Sequence, residues 1–182
     1  MRLAISLHLF IIPCVWAHAE PPIPNPRTAQ TFLEADNEVF YDDDVKRLVA
    51  FPNGRLSSGD LLLTGKRIEY DKNSTTAFAK GDVIFTNGTF RLLAQSFRIN
   101  LQSGDFQSQQ VRAGFYPWVM EGFEISRKNG VITSMDTSFY LLDQDSLEPN
   151  LAVSQLTLDQ NDSSFSGRGV ALRVGDRKLA SL

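Results

Sequence analysis

Short apolar alternations, each closing on an aromatic or β-branched pair and followed by a polar turn, recur five times along the chain. Their anchors are Leu33 to Tyr41, Leu63 to Tyr70, Leu92 to Ile99, Val119 to Ile125 and Leu151 to Leu158. The step is roughly 30 residues, within the range of stacked arrays. Alternation with a period of two places successive side chains on opposite faces of a strand. A pair of such strands cannot bury its apolar face alone, so successive copies must stack. The pattern therefore predicts an elongated β object with a continuous interior.

The punctuation agrees. Asp71-Lys72-Asn73-Ser74, Asn87-Gly88, Gln102-Ser103-Gly104-Asp105, Lys128-Asn129-Gly130, Asp143-Gln144-Asp145-Ser146 and Gln160-Asn161-Asp162-Ser163 are turn chemistry. Of these, Asn-Gly is the strongest hairpin signal. Short apolar runs with turns about every 8 to 12 residues mean an all-β fold. Thr75 to Ala79 and Gly81 to Thr86 read as two successive strands.

Strand parity then selects an inner face. Ile68 and Tyr70 share one side, as do Val83 and Phe85, Phe90 and Leu92, and Phe97, Ile99 and Leu101. In a stacked sheet these faces converge on one interior, with the middle repeats contributing most. Phe is frequent, at 13 residues, and most copies lie on strands. The bland reading is an ordinary β core, which favours aromatic side chains. The sharper reading is an open apolar groove that binds lipid by area, at about 25 cal/mol per Å² buried.

The ends change the available chemistry. Arg2, the apolar run Leu3 to Val15 and the small-x-small site Ala17-His18-Ala19 read as a secretory signal peptide over residues 1–19. A Pro-rich lead follows over 20–31, with the folded domain expected over 32–182. Both histidines, His8 and His18, and the single cysteine, Cys14, lie in the signal segment. The processed chain would lack Ser-His-Asp and Cys-His arrangements, disulfides, and thiolate or imidazole zinc sites. Losing Arg2 takes the net charge from −3 to −4. That mild acidity argues against a nucleic-acid partner, which basic clusters would attract.

Other charged groups read as surface. Asp42-Asp43-Asp44 lacks the Gly and distal Glu of a calcium loop. Glu121 with Glu124, or Asp36 with Glu38, could be cast as a glycosidase pair, but sequence spacing does not set the required separation. Neither a metal nor a cofactor is expected, and no enzyme activity. Arg91, Arg98, Arg112, Arg127 and Lys128 decorate the outer faces or, near a groove rim, pair with lipid phosphates.

The run Arg67-Ile68-Glu69-Tyr70-Asp71 followed by Ala77-Phe78-Ala79-Lys80-Gly81-Asp82-Val83-Ile84-Phe85 resembles the OstA-like domain of bacterial lipopolysaccharide transport. Leu33-Glu34-Ala35-Asp36 with Tyr41-Asp42 resembles the same opening. The resemblance implies an open β-jellyroll of stacked antiparallel strands, located in the periplasm, through which lipid A acyl chains slide. It also implies end-to-end strand pairing with other OstA-like proteins or with further copies of this chain. On that reading Ile68, Tyr70, Val83, Phe85, Phe90, Leu92, Phe97, Ile99 and Leu101 would contact lipid. Two alternatives share the pattern. One is a barrel-less N-terminal fragment of the outer-membrane lipopolysaccharide-assembly protein, suggested by the tail Ser166 to Val174. The other is a structural or adhesive secreted β-solenoid.

Overall fold

The computed structural model describes residues 30–115, 117–142, 148–159, 161–162, 164–175 and 177–181. The segment expected to be a signal peptide, nearly all of the Pro-rich lead and the turn at Asp143 to Ser146 lie outside them. Among the described residues there is no helix. Fourteen strands form one antiparallel sheet: β1 (Thr31–Glu34), β2 (Glu38–Asp42), β3 (Arg47–Phe51), β4 (Gly54–Ser58), β5 (Leu61–Gly65), β6 (Arg67–Asp71) and β7 (Thr76–Asn87), then β8 (Phe90–Asn100), β9 (Phe106–Phe115), β10 (Trp118–Lys128), β11 (Val131–Leu141), β12 (Pro149–Asp159), β13 (Ser164–Val174) and β14 (Arg177–Ser181). The path of neighbours from β1 to β14 crosses eleven strands, which at about 4.8 Å per spacing spans roughly 50 Å.

The turns explain the repeat. At Asp42, Asp71, Asn100 and Asp159 the side-chain oxygen accepts backbone N–H groups two or three residues on, at 2.8 to 3.3 Å. These local bonds favour turning over extension. Asp42, Asp71 and Asn100 stand 29 residues apart, one hairpin each, which is the physical content of the periodicity. Successive turns also bond to one another. Leu101 N donates to Thr75 O at 2.8 Å, Asn129 N to Asp105 Oδ1 at 2.9 Å, and Asn161 Nδ2 to Asn129 O at 3.0 Å.

A crease divides the sheet into two arms. β1, β4 and β5 pair in succession on one side, and β2, β3 and β6 on the other, and both series end on β7. Each consecutive pair is thus one long strand broken near its middle, at Asp36, Pro52-Asn53 and Lys66. Backbone bonds bridge the breaks: Asp36 N to Pro52 O at 3.1 Å, Asn53 N to Lys66 O at 3.0 Å, and Lys66 N to Gly81 O at 2.8 Å. The two strands read from sequence over Thr75 to Thr86 are one, β7, interrupted by a bulge after Lys80. Beyond β7 the strands are continuous, yet pairing skips at the same level, at Gln95, Gln110, Phe123, Asp136, Ser154 and Gly169. On every second strand the crease holds a left-handed residue: Asn53, Gly81 with Asp82, Gln110, Asp136 and Gly169, with φ between 47° and 77°. Such bulges bend a strand and increase its twist. The crease folds the sheet so that one face of each arm turns inward. The result is the open all-β jellyroll that the resemblance implies.

The inward faces share one core. Residues of both arms, including Leu56, Leu63, Phe85 and Leu92 from one and Ile68, Ala79, Phe97 and Ile99 from the other, form a single buried apolar cluster.

Candidate functional site

Cross-strand register lines the inward residues up in rows, because directly opposed side chains lie on the same face. On the first arm one row runs Leu33, Leu56, Leu63, Phe85, Leu92, Ala113, Met120, Phe139, Leu151, Leu172 and Ala180. It crosses the whole sheet without a polar side chain. On the second arm a row runs Val39, Ala50, Ile68, Ala79, Phe97, Ser108, Ile125, Ser134, Leu156 and Gly167. Nearer the turns a third runs Tyr41, Leu48, Tyr70, Ala77, Ile99, Phe106, Arg127, Ile132, Leu158 and Phe165.

All nine residues singled out from sequence fall on this interior. Ile68, Val83, Phe85, Leu92, Phe97 and Ile99 are fully buried core, and Tyr70, Phe90 and Leu101 are partly buried and packed against it. The packing works by pairing large side chains with small ones. Phe97 lies between Ala79 and Ser108, Ile99 opposite Ala77, and Leu92 opposite Ala113. The space this leaves is filled by aromatic contact. Phe97 stacks on Phe85 at 4.6 Å and on Phe106 at 5.5 Å, and Phe90 meets Phe85 edge-on at 6.3 Å. The interior from β3 to β9 is therefore closed by its own side chains.

Toward the C-terminal strands the first and third rows uncover, while Ile125, Ser134 and Leu156 of the second stay buried. Met120, Phe139, Ile132 and Leu158 are only partly buried, Leu151 and Leu172 are exposed, and Phe165 is 67% exposed. The N-terminal margin behaves likewise at Val39 and Tyr41. The residues of β10 to β13 extend the site beyond the nine. The signal that finds them is the same parity, carried past Leu101 and corrected for one skipped residue per strand at the crease. Not every strand Phe turns inward: Phe78 lies on the outer face opposite Arg98, and Phe123, at the crease, is exposed.

The buried hydroxyls Ser108, Ser134 and Thr137 are hydrogen-bonded, whereas the Oδ1 atoms of Asn87 and Asn150 are buried without a partner. Ser108 Oγ donates to Ser96 O at 2.9 Å, and Ser134 Oγ bonds Thr137 Oγ1 at 2.6 Å and Glu124 O at 3.1 Å. Of the five basic residues considered as phosphate partners, Arg127 alone stands in an inner row, where its Nη1 donates to Gly104 O at 3.0 Å. Arg112 is on the outer face, paired with Glu121 at 3.3 Å. Tyr140 joins them, its hydroxyl pushed up to about 12 by burial and then by hydrogen bonding to Glu121. Glu124 accepts from Gln107 Nε2 at 2.8 Å. Asp36 accepts from Asn53 Nδ2 at 2.7 Å. No group of three or more acidic, His or Cys side chains suited to a metal occurs among the described residues.

No protein-family model matches the chain, and neither does any curated protein sequence. Among solved structures it is similar to LptH, described as the LptA-homologous periplasmic component of the conserved lipopolysaccharide transport device from Pseudomonas aeruginosa. The two are 13% identical, with a TM-score of 0.34, over 86% of this chain and 92% of that one.

Proposed function

We propose that this protein binds lipopolysaccharide in the periplasm and relays its acyl chains along the inner face of the folded sheet toward the outer membrane. The observation that carries this reading is the first-arm row, apolar across eleven strands and uncovered at its C-terminal end. A purely structural core needs no such exposed continuation. An acyl chain needs little else, since burial is undirected and proportional to area.

The arms join along the crease, and elsewhere they meet through side chains such as Phe85 and Phe97. A chain inserted between them exchanges side chain–side chain contact for side chain–acyl contact of similar free energy per area. On this reading Met120, Ile132, Phe139, Leu151 and Leu172 take first contact. Ile68, Tyr70, Val83, Phe85, Phe90, Leu92, Phe97, Ile99 and Leu101 line the path farther in, and no single residue is essential.

Relay also requires neighbours. Strands β1 and β2 pair on one side only, as does β14, and such edges template strand addition. β1 and β2 with their connection carry Glu34, Asp36, Glu38 and Asp42 and no cation. β13 and β14 with their connection carry Arg168, Arg173, Arg177 and Lys178 against a single acid, Asp176. These margins complement each other in charge, which supports end-to-end pairing with another OstA-like protein or a second copy of this chain.

The test is lipid extraction and native mass spectrometry of protein purified from membranes without detergent. Co-purifying glycolipid is expected. Protein that emerges free of lipid from cells rich in lipopolysaccharide would contradict the reading.

A further inference from the structure

The outer face of the second arm, opposite the apolar rows, carries an open, shallow cleft of about 560 Å³ over β3 and β6 to β9. Its floor is Phe78, partly buried, with Glu69 opposite it on β6 and Arg98 opposite it on β8. The charge of Glu69 is already matched. Arg47 Nη1 lies 3.0 Å from one carboxylate oxygen and Arg67 Nε 3.0 Å from the other, and Arg67 also approaches Asp42 at 3.7 Å. Lys80 and Arg98 are different. Both are exposed on the cleft, and neither side chain has an ion pair or hydrogen bond among the described residues. Ser96 and Gln109 add neutral donors and acceptors to the same walls.

A partly buried aromatic side chain, neutral hydrogen-bonding groups and two unmatched cations together suit an anionic sugar. We propose that this cleft binds an anionic oligosaccharide, with a sugar face laid on Phe78 and a phosphate or carboxylate held by Lys80 and Arg98. Hydroxyls are met by neutral amide and hydroxyl groups. The anion takes charge-assisted bonds, which are roughly twice as strong as neutral ones, and the Arg98 fork suits phosphate or carboxylate geometry. The site is on the face away from the acyl path, so it does not depend on lipid carriage. The saccharide could be the sugar portion of a glycolipid or a free acidic glycan.

The experiment is calorimetric titration of the purified protein with lipid-free, phosphorylated core oligosaccharide, using the dephosphorylated oligosaccharide and inorganic phosphate as comparators. The phosphorylated sugar is expected to bind best. The double variant K80Q/R98Q should weaken it at least about tenfold, and Phe78→Leu by a smaller factor, with the thermal unfolding midpoint unchanged in both. A second arm measures capture of intact glycolipid: loss in K80Q/R98Q assigns the glycolipid headgroup as the source, and retention assigns a free glycan. No binding, binding unaffected by the double variant, or equal binding of inorganic phosphate would overturn the proposal.

Discussion

The rings of Phe85 and Phe97 stack at 4.6 Å between centroids and 26° between planes, although one belongs to each arm of the folded sheet. This contact, extended by Phe106, ties the arms together away from the crease. Phe97 is completely buried and its neighbours across the ladder are Ala79 and Ser108, which cannot expand to fill a void. Phe97→Ala should therefore cost about 3–5 kcal/mol. Phe165→Ala, the same change at an exposed position on the same inner face, should cost under about 0.5 kcal/mol. Urea unfolding of the two variants measures both, and comparable losses would mean that the interior does not carry the stability.

The crease makes its own demand. Gly169 has a φ of +65°, and a Cβ there would lie 2.6 Å from Ser154 Oγ. Gly169→Ala should destabilise by about 1–3 kcal/mol, combining backbone strain with the clash. Adding Ser154→Ala removes the 2.6 Å contact but leaves the tight 3.0 Å approach to the Cβ of residue 154 and the strain, so the double variant should recover part of the loss. Full recovery would show that the left-handed backbone at this level costs nothing.

Tyr140 gives a pH signature. Burial and its hydrogen bond to Glu121 raise its hydroxyl to about 12 in the folded protein, against about 10 for an unfolded chain. Between those values the unfolded state has released a proton that the folded state keeps, so stability falls as pH rises. The contribution is fully present below pH 10 and is lost through pH 12. In Tyr140→Phe this part of the decline should vanish. Chemical denaturation of both proteins at pH 9 and pH 11 measures it, and parallel declines would remove Tyr140 as the cause.

End-to-end pairing should depend on charge and on salt. Reversing Arg173 and Arg177 to Glu sets an acidic C-terminal margin against the acidic N-terminal one and should abolish self-association in sedimentation velocity. Mixing that variant with Glu34→Lys/Glu38→Lys should restore a hetero-complex at low salt that weakens at high salt. Association untouched by either reversal would place the contact elsewhere.

The inner face was largely legible in the sequence, because period-two alternation fixes which side chains share a side. The pairs Ile68 with Tyr70 and Val83 with Phe85 meet the same interior in the structure. The hairpin at Asn87-Gly88 and the Asp71 turn were legible for the same local reason. The crease was not. Gln110 and Asp136 adopt left-handed backbone without Gly to announce it, since that conformation is set by strands that pair on both sides. Nor was the depth of filling visible. Whether Phe97 lines a groove or plugs it depends on Ala79 and Ser108 opposite, and register across the sheet decides those partners. For the same reason the candidate list stopped at Leu101, whereas the rows continue through Met120, Ile132 and Phe139.

The most direct test of lipid carriage is site-specific photo-crosslinking in cells making lipopolysaccharide. Ile132 and Phe139 are on the inner rows, while their chain neighbours Thr133 and Ser138 face outward, away from the cleft at Phe78. A photoreactive residue at Ile132 or Phe139 should capture glycolipid, and one at Thr133 or Ser138 should not. Equal capture from both faces, or none from the inner pair, would contradict an acyl path along the inside of the sheet.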